Sequence, residues 1–138
     1  MVFIPELKKD FERLIRNGRL THGYIFFGEN FREQHKFLEE LVSYLETKAW
    51  AVSGKILTDT HFVDAIDEAG IDTIRSASRF LWQLPIKSTK RTLIINNAHR
   101  LTIQAQNAIL KISEEPPTHA LIIFTVNHPE SILTTLAS

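Results

Sequence analysis

The loop that follows Gly28 is the first place in the chain where nucleotide chemistry could occur. Residues 24–27 form a short apolar run that ends at Gly28, and an amphipathic segment follows. This is the order of strand, loop and helix in a Walker A motif, G-x-x-x-x-G-K-[ST], whose backbone N–H groups, lysine and hydroxyl hold a phosphate and its magnesium ion. Glu33, Gln34 and His35 here replace the second glycine, the lysine and the hydroxyl residue.

These replacements oppose a bound nucleotide. A carboxylate ~4 Å from a phosphate charge costs roughly 4 kcal/mol at an effective dielectric of 20, and Glu29 and Glu33 place two carboxylates in this loop. We therefore interpret Gly28, Glu33, Gln34 and His35 as a degenerate nucleotide loop. The alternative is an ordinary connection between a strand and a helix.

Two asparagines follow the predicted strand at 92–95, the position where a nucleotide site needs negatively charged residues. In a working NTPase an apolar strand ends in acids, one for magnesium and one for the attacking water. Residues 92–95 form such a strand, but Asn96 and Asn97 follow it, and an asparagine brings no charge and no general base. We interpret the pair as a degenerate Walker B motif, and the alternative is that it only turns the chain.

Charge is unevenly distributed, although the net charge is zero. Residues 73–113 contain no acid and seven bases, which are Arg75, Arg79, Lys87, Lys90, Arg91, Arg100 and Lys111. This predicts a surface for an anionic partner, or else a solvated face whose counter-charges come from elsewhere in the fold. The chain has no cysteine, and its six histidines lack metal-ligand spacing, so we assign no catalytic residue and no metal site.

Hydrophobic periodicity predicts the elements that position these residues. Apolar runs predict strands at 24–27, 61–66, 92–95 and 120–124. Helical spacing predicts an N-terminal helix that ends near Gly18, helices over 35–46 and 71–84, a helix from Thr102 that Pro116 stops, and a further helix from Pro129. Strands that alternate with helices predict an α/β fold whose parallel sheet is covered on both faces. No apolar run approaches the ~18 residues that a membrane span requires.

Residues 92–117 read TLIINNAHRLTIQAQNAILKISEEPP, which resembles the AAA+ core of bacterial clamp-loader subunits. In that family an apolar strand and an acidic pair precede N-A-L-L-K and E-E-P-P, matched here by residues 107–111 and 114–117. Residues 21–28 resemble the family's H-A-Y-L-F-x-G opening, residues 71–75 its I-x-x-I-R helix start, and residues 133–138 its L-x-T-I-x-S-R-C segment.

The resemblance implies a P-loop NTPase-like (AAA+) three-layer sandwich, with four parallel strands in the order 1-4-3-2 and the fifth strand missing. It implies that residues 1–138 are the AAA+ core of a longer protein whose lid and collar domains are absent here, and that Asn127 lies near the sensor 1 position. The family's arginine finger cannot be assigned, since the sequence stops at Ser138.

Among clamp-loader subunits, loss of the nucleotide motifs is typical of the delta-prime type, a stator that does not hydrolyse ATP. The resemblance therefore implies a cytoplasmic structural subunit without bound ATP, magnesium or zinc, whose partners are gamma/tau and delta subunits, the sliding clamp and primer-template DNA. Two alternatives stay open, a divergent gamma/tau-type ATPase and a stand-alone DNA-binding module. Residues Lys90, Arg100 and Lys111 are the predicted contacts to DNA phosphates, and simple solvation is the alternative for them.

Overall fold

Strands and helices alternate along the part of the chain that the structure, a computed structural model, describes: residues 4–28, 30–52 and 57–127, with side chains from residue 7 onward. The elements in chain order are α1 (Ile4–Arg16), β1 (Gly23–Phe27), α2 (Phe31–Thr47), β2 (Thr60–Asp64), α3 (Ile71–Leu81), β3 (Arg91–Asn96), a 3₁₀ turn (Ala98–Arg100), α4 (Ile103–Glu114) and β4 (Ala120–Val126). The predicted alternation is confirmed. Glu29, the helix predicted from Pro129 and the segment 133–138 lie outside the described residues.

The strands form one parallel sheet in the order β1-β4-β3-β2, which confirms the predicted order. Phe124 of β4 lies between Ile25 of β1 and Ile95 of β3, and Phe62 of β2 pairs with Ile94 of β3. Because every pair is parallel, the carboxyl ends of all four strands meet at one edge of the sheet.

Helices cover both faces of this sheet and create the three predicted layers. Ile94 and Ile123 pack against α1 and α2, together with Phe37, on one face. Their neighbours Ile95 and Ile122 pack against α3 and α4 on the other face. Since successive residues of a strand point to opposite faces, β3 is continuously apolar over residues 93–95 and β4 over residues 120–124.

Helix α2 begins at Phe31, four residues before the predicted start at 35. Asn30 caps it: the Glu33 N–H donates to Asn30 Oδ1 at 3.1 Å, and Asn30 Nδ2 donates to Glu33 Oε2 at 2.9 Å. The Asn30 side chain therefore satisfies one of the free N–H groups at the start of the helix, and its amide also bonds to the Glu33 carboxylate. The predicted helix start at 35 is therefore wrong, because Glu33 and Gln34 already belong to α2. The interpretation of Gly28, Glu33, Gln34 and His35 as a degenerate nucleotide loop stays a prediction.

Helix α3 ends at Leu81, so the predicted continuation to Leu84 is wrong. The Leu84 side chain, which the periodicity placed inward, is 72% exposed. The cause lies in Asp59, whose carboxylate accepts three backbone N–H groups, from Ile86 at 2.8 Å and from Lys87 and Ser88 at 2.7 Å. These bonds hold residues 86–88 against the start of β2.

A buried ion pair joins Asp59 to Arg91. Both side chains are almost fully buried, and Arg91 Nη1 lies 3.1 Å from Asp59 Oδ1. Arg91 also donates to the Phe80 and Thr58 carbonyls and to Gln83 Oε1, and its guanidinium lies 3.9 Å from the Phe80 ring centroid. One base of the acid-free segment is therefore part of the interior, and its counter-charge comes from outside that segment.

The pKa of Asp59 lies below its ordinary value. Burial alone would raise the pKa, but the N–H groups of Ile86, Ser88 and Lys87, together with Arg91, stabilise the ionised form and outweigh it. A carboxyl whose pKa is lower in the folded state stabilises the fold above its unfolded pKa, and this contribution is lost as the pH falls through the folded pKa.

Among the described residues, every helix is too short or too polar to cross a bilayer.

We predict that Asp59→Asn lowers the free energy of unfolding by about 3 kcal/mol at pH 7, because the substitution leaves the buried charge of Arg91 without its partner. At a second, acidic pH value, below the lowered pKa of Asp59, the difference from the unsubstituted chain is expected to narrow, because Asp59 itself is then protonated. Urea unfolding at both pH values, followed by circular dichroism, measures this change.

The matched control is Asp72→Asn, since Asp72 pairs with Arg75 at 3.3 Å but is 94% exposed. This variant should unfold at the same urea concentration as the unsubstituted chain, because exposed pairs contribute little. Equal stabilities of the two variants at pH 7 would contradict the structural role of Asp59.

Candidate functional site

The candidate site lies at the carboxyl edge of the sheet, where β1, β3 and β4 end beside the start of α2. Ligands of open α/β sheets bind at this edge. A shallow cavity of about 170 Å³ opens there, and the described residues that line it are Gly28, Phe31, Gln34, Asn97, Thr125, Val126 and Asn127. The structure therefore brings together residues from the predicted degenerate loop, the predicted degenerate Walker B pair and the predicted sensor position.

Gly28 connects β1 to the site in a conformation that favours glycine. Its φ is 144°, and its N–H donates to the Val126 carbonyl at 3.2 Å, which holds the end of β1 to β4. A Cβ atom at this position would lie 3.0 Å from Gln34 Nε2. The neutral Gln34 amide therefore covers Gly28 at the position where a Walker A motif has its lysine.

The start of α2 faces the site, and its own side chains cap it. The N-terminus of a helix carries a partial positive charge that attracts phosphate. Here the Asn30 side chain accepts the Glu33 N–H, and Glu33 places a carboxylate in the first turn. The helix end therefore attracts an anion less than an uncapped one would.

His35 and Asn96 bond directly to each other. His35 Nδ1 lies 3.1 Å from Asn96 Nδ2, and His35 Nε2 lies 3.1 Å from Glu39 Oε1 one turn further along α2. The His35 ring stacks on Phe31 and packs against Phe62, which fixes its orientation. In the Walker pattern the corresponding hydroxyl and acid act on one magnesium ion, whereas here the two positions are in mutual contact.

Thr125 of β4 completes this cluster, although it is not among the predicted site residues. Its hydroxyl donates to Asn96 Oδ1 at 3.2 Å and accepts the Asn97 N–H at 3.0 Å. A threonine favours a strand as much as its apolar neighbours do, so the pattern of β4 did not distinguish it. The available signal was its polarity, since Thr125 carries the only hydroxyl in β4.

Asn97 turns the chain, as the alternative interpretation of the Asn96–Asn97 pair predicts. Its φ of 56° is left-handed, a conformation that asparagine tolerates better than most residues. Its Nδ2 donates to Asp64 Oδ1 at 3.1 Å, and the same oxygen accepts the Ile66 N–H at 3.0 Å. Asp64, at the end of β2, is therefore engaged with its neighbours on the β2 side of the site.

Asn127, the predicted sensor 1-like residue, follows β4 and lines the cavity. Its N–H donates to His99 Nδ1 at 3.4 Å, which joins the end of β4 to the 3₁₀ turn after β3. The position beside the end of β4 agrees with the prediction, and a sensing role stays a prediction.

The three predicted DNA-facing residues lie in different places. Lys90 immediately precedes β3 and Arg100 follows its other end, so the length of β3, about 20 Å, separates their backbones. Lys111 is exposed and shares a groove of about 490 Å³ between α3 and α4 with Arg75 and Asn107. Lys111 and Asn107 therefore share one face of α4, and the contact with DNA stays a prediction.

The chain matches the family described as DNA polymerase III, delta subunit, over residues 4–138. The DNA polymerase III subunit gamma/tau of Mycoplasma pneumoniae is 28% identical over 144 residues, an alignment that covers 96% of this chain and 21% of that protein. The chain therefore spans about a fifth of that relative's length.

Solved structures show the same relationship. A DNA polymerase III gamma subunit-related protein from Thermotoga maritima superposes with a TM-score of 0.70 at 28% identity, over 96% of this chain and 42% of that one. The RuvB protein of Thermotoga maritima superposes with a TM-score of 0.65 at 12% identity, over 96% of this chain and 40% of the RuvB chain. At that identity the similarity shows the fold alone. Because the family match covers nearly all of the sequence, the chain belongs to the DNA polymerase III delta subunit family and is a clamp-loader relative with the AAA+ fold.

Proposed function

We propose that the chain is the AAA+ core of a delta-prime-type stator, a clamp-loader subunit that hydrolyses no ATP and helps to load the sliding clamp onto primed DNA in the cytoplasm. The observation that carries this proposal is the 3.1 Å contact between His35 and Asn96. It joins directly the two positions through which a P-loop enzyme acts on magnesium. Membership of the DNA polymerase III family supports the role in replication.

The residues of the site do not fit a magnesium–triphosphate complex. Magnesium in phosphate sites is held by oxygen ligands, usually including a carboxylate. Asn96 offers a neutral amide whose oxygen already accepts from Thr125, and His35 offers a nitrogen. Glu33 adds a negative charge beside the position of a triphosphate, and Gln34 supplies no positive one. The proposed function therefore assigns to this chain no catalytic step on a nucleotide.

As a stator, the chain would act through its shape. It would hold one position in the ring of subunits and pack against a gamma/tau-type subunit, which performs the hydrolysis. The hydrogen bonds among α2, β3 and β4 at the site support this role, because they fix the helix on the sheet without a ligand.

A divergent gamma/tau-type ATPase is the second candidate, and one observation favours it. The Mycoplasma pneumoniae relative, which aligns with 96% of this chain, is named as a gamma/tau subunit. This candidate requires nucleotide to enter the cavity beside Gly28 and Gln34. The two candidates therefore differ in whether the chain binds ATP.

We predict that isothermal titration calorimetry of this chain with MgATP detects no saturable binding tighter than about 1 mM, which corresponds to about −4 kcal/mol. The physical reason is that the site offers neutral or acidic groups where a triphosphate needs positive ones. Saturable, magnesium-dependent binding below 1 mM would favour the ATPase.

Two controls make this titration decisive. A gamma/tau-type ATPase subunit, titrated under the same conditions, shows that the assay detects binding. A variant that combines Glu33→Gly, Gln34→Lys, His35→Thr and Asn96→Asp restores the Walker residue types on the same backbone. We expect this variant to bind MgATP more tightly than the unsubstituted chain, because the substitutions return a cation, a hydroxyl and a carboxylate to the site.

The basic groove between α3 and α4 supports a contact with DNA phosphates within the loader. We predict that Lys111→Ala weakens binding of primer-template DNA by the assembled complex equally for different sequences. It should also reduce the slope of log K against log salt by about 1, since one phosphate contact is lost. Fluorescence anisotropy over a series of salt concentrations measures both effects.

Lys36→Ala is the matched control, because Lys36 is an exposed lysine on α2, a helix that covers the other face of the sheet. This variant should leave both the affinity and the salt slope unchanged. A Lys111→Ala complex with an unchanged salt slope would show that Lys111 is merely solvated.

A further inference from the structure

We infer that His35, Asn96 and Thr125 form a positioning network that takes the place of a nucleotide and its metal ion, and holds α2 on the sheet permanently. This inference rests on the proposed function in one respect only, that the site holds no nucleotide. It goes further by assigning a positive structural role to the residues that replace the nucleotide ligands.

The network is continuous across the carboxyl edge of the sheet. It runs from Glu39 to His35 at 3.1 Å, from His35 to Asn96 at 3.1 Å and from Asn96 to Thr125 at 3.2 Å. Thr125 then accepts the N–H of Asn97 at 3.0 Å. Helix α2, strand β3 and strand β4 are therefore connected at the place where a P-loop protein uses phosphate and magnesium to connect them.

The donors and acceptors of this network agree with one another. The Glu39 carboxylate accepts, so a neutral His35 carries its proton on Nε2 and accepts at Nδ1. Asn96 must then present its Nδ2 to His35 and its Oδ1 to Thr125. The Thr125 hydroxyl donates to that Oδ1, which carries no proton, and its oxygen accepts the Asn97 N–H. One assignment of hydrogens satisfies every member.

Burial makes these bonds consequential. Asn96 is 3% exposed, and Thr125 is buried as well. A buried amide that loses its partner keeps the cost of its desolvation. No buried side-chain nitrogen or oxygen among the described residues lacks a hydrogen-bond partner. Removal of His35 Nδ1 would leave Asn96 Nδ2 without the partner that it has at 3.1 Å.

The test is a double-variant cycle of His35→Phe and Asn96→Leu in this chain, followed by thermal unfolding. Phenylalanine keeps the ring between Phe31 and Phe62 and removes both nitrogens. Each single variant should lower the melting temperature, and the double variant should lower it by less than the sum of the two, since both remove the same bond. Additive losses would overturn the inference.

His61→Phe is the matched control. His61 is a partly buried histidine of β2 that also packs against a phenylalanine, Phe80, without a hydrogen bond of its side chain to a described residue. It should change the melting temperature less than His35→Phe does.

Where Asn96→Leu does not fold, Thr125→Val and Thr125→Ser replace it. The valine should weaken the network, and the serine, which keeps the hydroxyl, should retain it. Equal losses for the two would contradict the inference.

Amide hydrogen exchange gives a readout that separates this inference from the proposed function. His35→Phe should speed exchange in the first turns of α2 by about five-fold, the consequence of losing one net hydrogen bond, and should leave α4 unchanged. Millimolar MgATP should not alter exchange of the unsubstituted chain. If His35→Phe leaves α2 exchange unchanged, the network has no positioning role, whether or not ATP binds. If ATP protects α2, the proposed function fails, and so does the claim that the network takes the place of a nucleotide. The double-variant cycle then still decides whether the network holds α2 on the sheet.

Nitrogen-15 chemical shifts of the His35 ring test the assignment of hydrogens. The network requires the neutral form with the proton on Nε2. A dominant form with the proton on Nδ1 would break the chain of donors and acceptors and overturn the inference.

Discussion

A parallel sheet that is buried on both faces leaves only its strand ends available for polar chemistry. β3 and β4 are apolar along most of their length because each alternate residue faces a different helical layer. The polar residues Asn96 and Thr125 lie near the carboxyl ends of these strands, and the parallel pairing places them side by side. The location of the candidate site follows from this constraint, and its chemistry follows from the residues that occupy it.

The same constraint explains why one of the basic residues belongs to the interior. Arg91 starts β3 at the amino edge of the sheet, where Asp59 precedes β2, and both are removed from solvent. An uncompensated charge there would be costly, so the guanidinium and the carboxylate satisfy each other and the surrounding backbone. The number of basic residues in the acid-free segment 73–113 therefore overestimates the positive charge at the surface. Arg75 and Lys111, which line the groove between α3 and α4, are among the bases that are exposed.

Hydrophobic periodicity and capping residues within a segment were sufficient to predict most helices and strands. They carry no information on contacts between residues that are far apart in the sequence. Thr102 caps α4 as predicted, and Gly18 has a left-handed φ of 65° just after α1. The early start of α2 had a local signal, Asn30 followed three residues later by Glu33, which was read as part of a phosphate loop. The early end of α3 depends on Asp59, far upstream, and His35 meets Asn96 across 61 residues. Periodicity within a segment cannot report a partner at that separation.

The contact between His35 and Asn96 also bears on how a clamp-loader relative could lose its response to nucleotide and keep its fold. A ligand shifts a conformational equilibrium only by its different affinity for the two states. When the positions that bind the ligand bond to one another, the connection between helix and sheet no longer depends on ligand concentration. Neutral side chains connect helix and sheet at lower cost than an acid beside a cation would. A buried pair of charges loses the favourable hydration of both ions, whereas amide, hydroxyl and imidazole groups lose less hydration when they bond to one another. Neutral side chains at this edge would thus suit the proposed stator, whose contribution is a fixed shape.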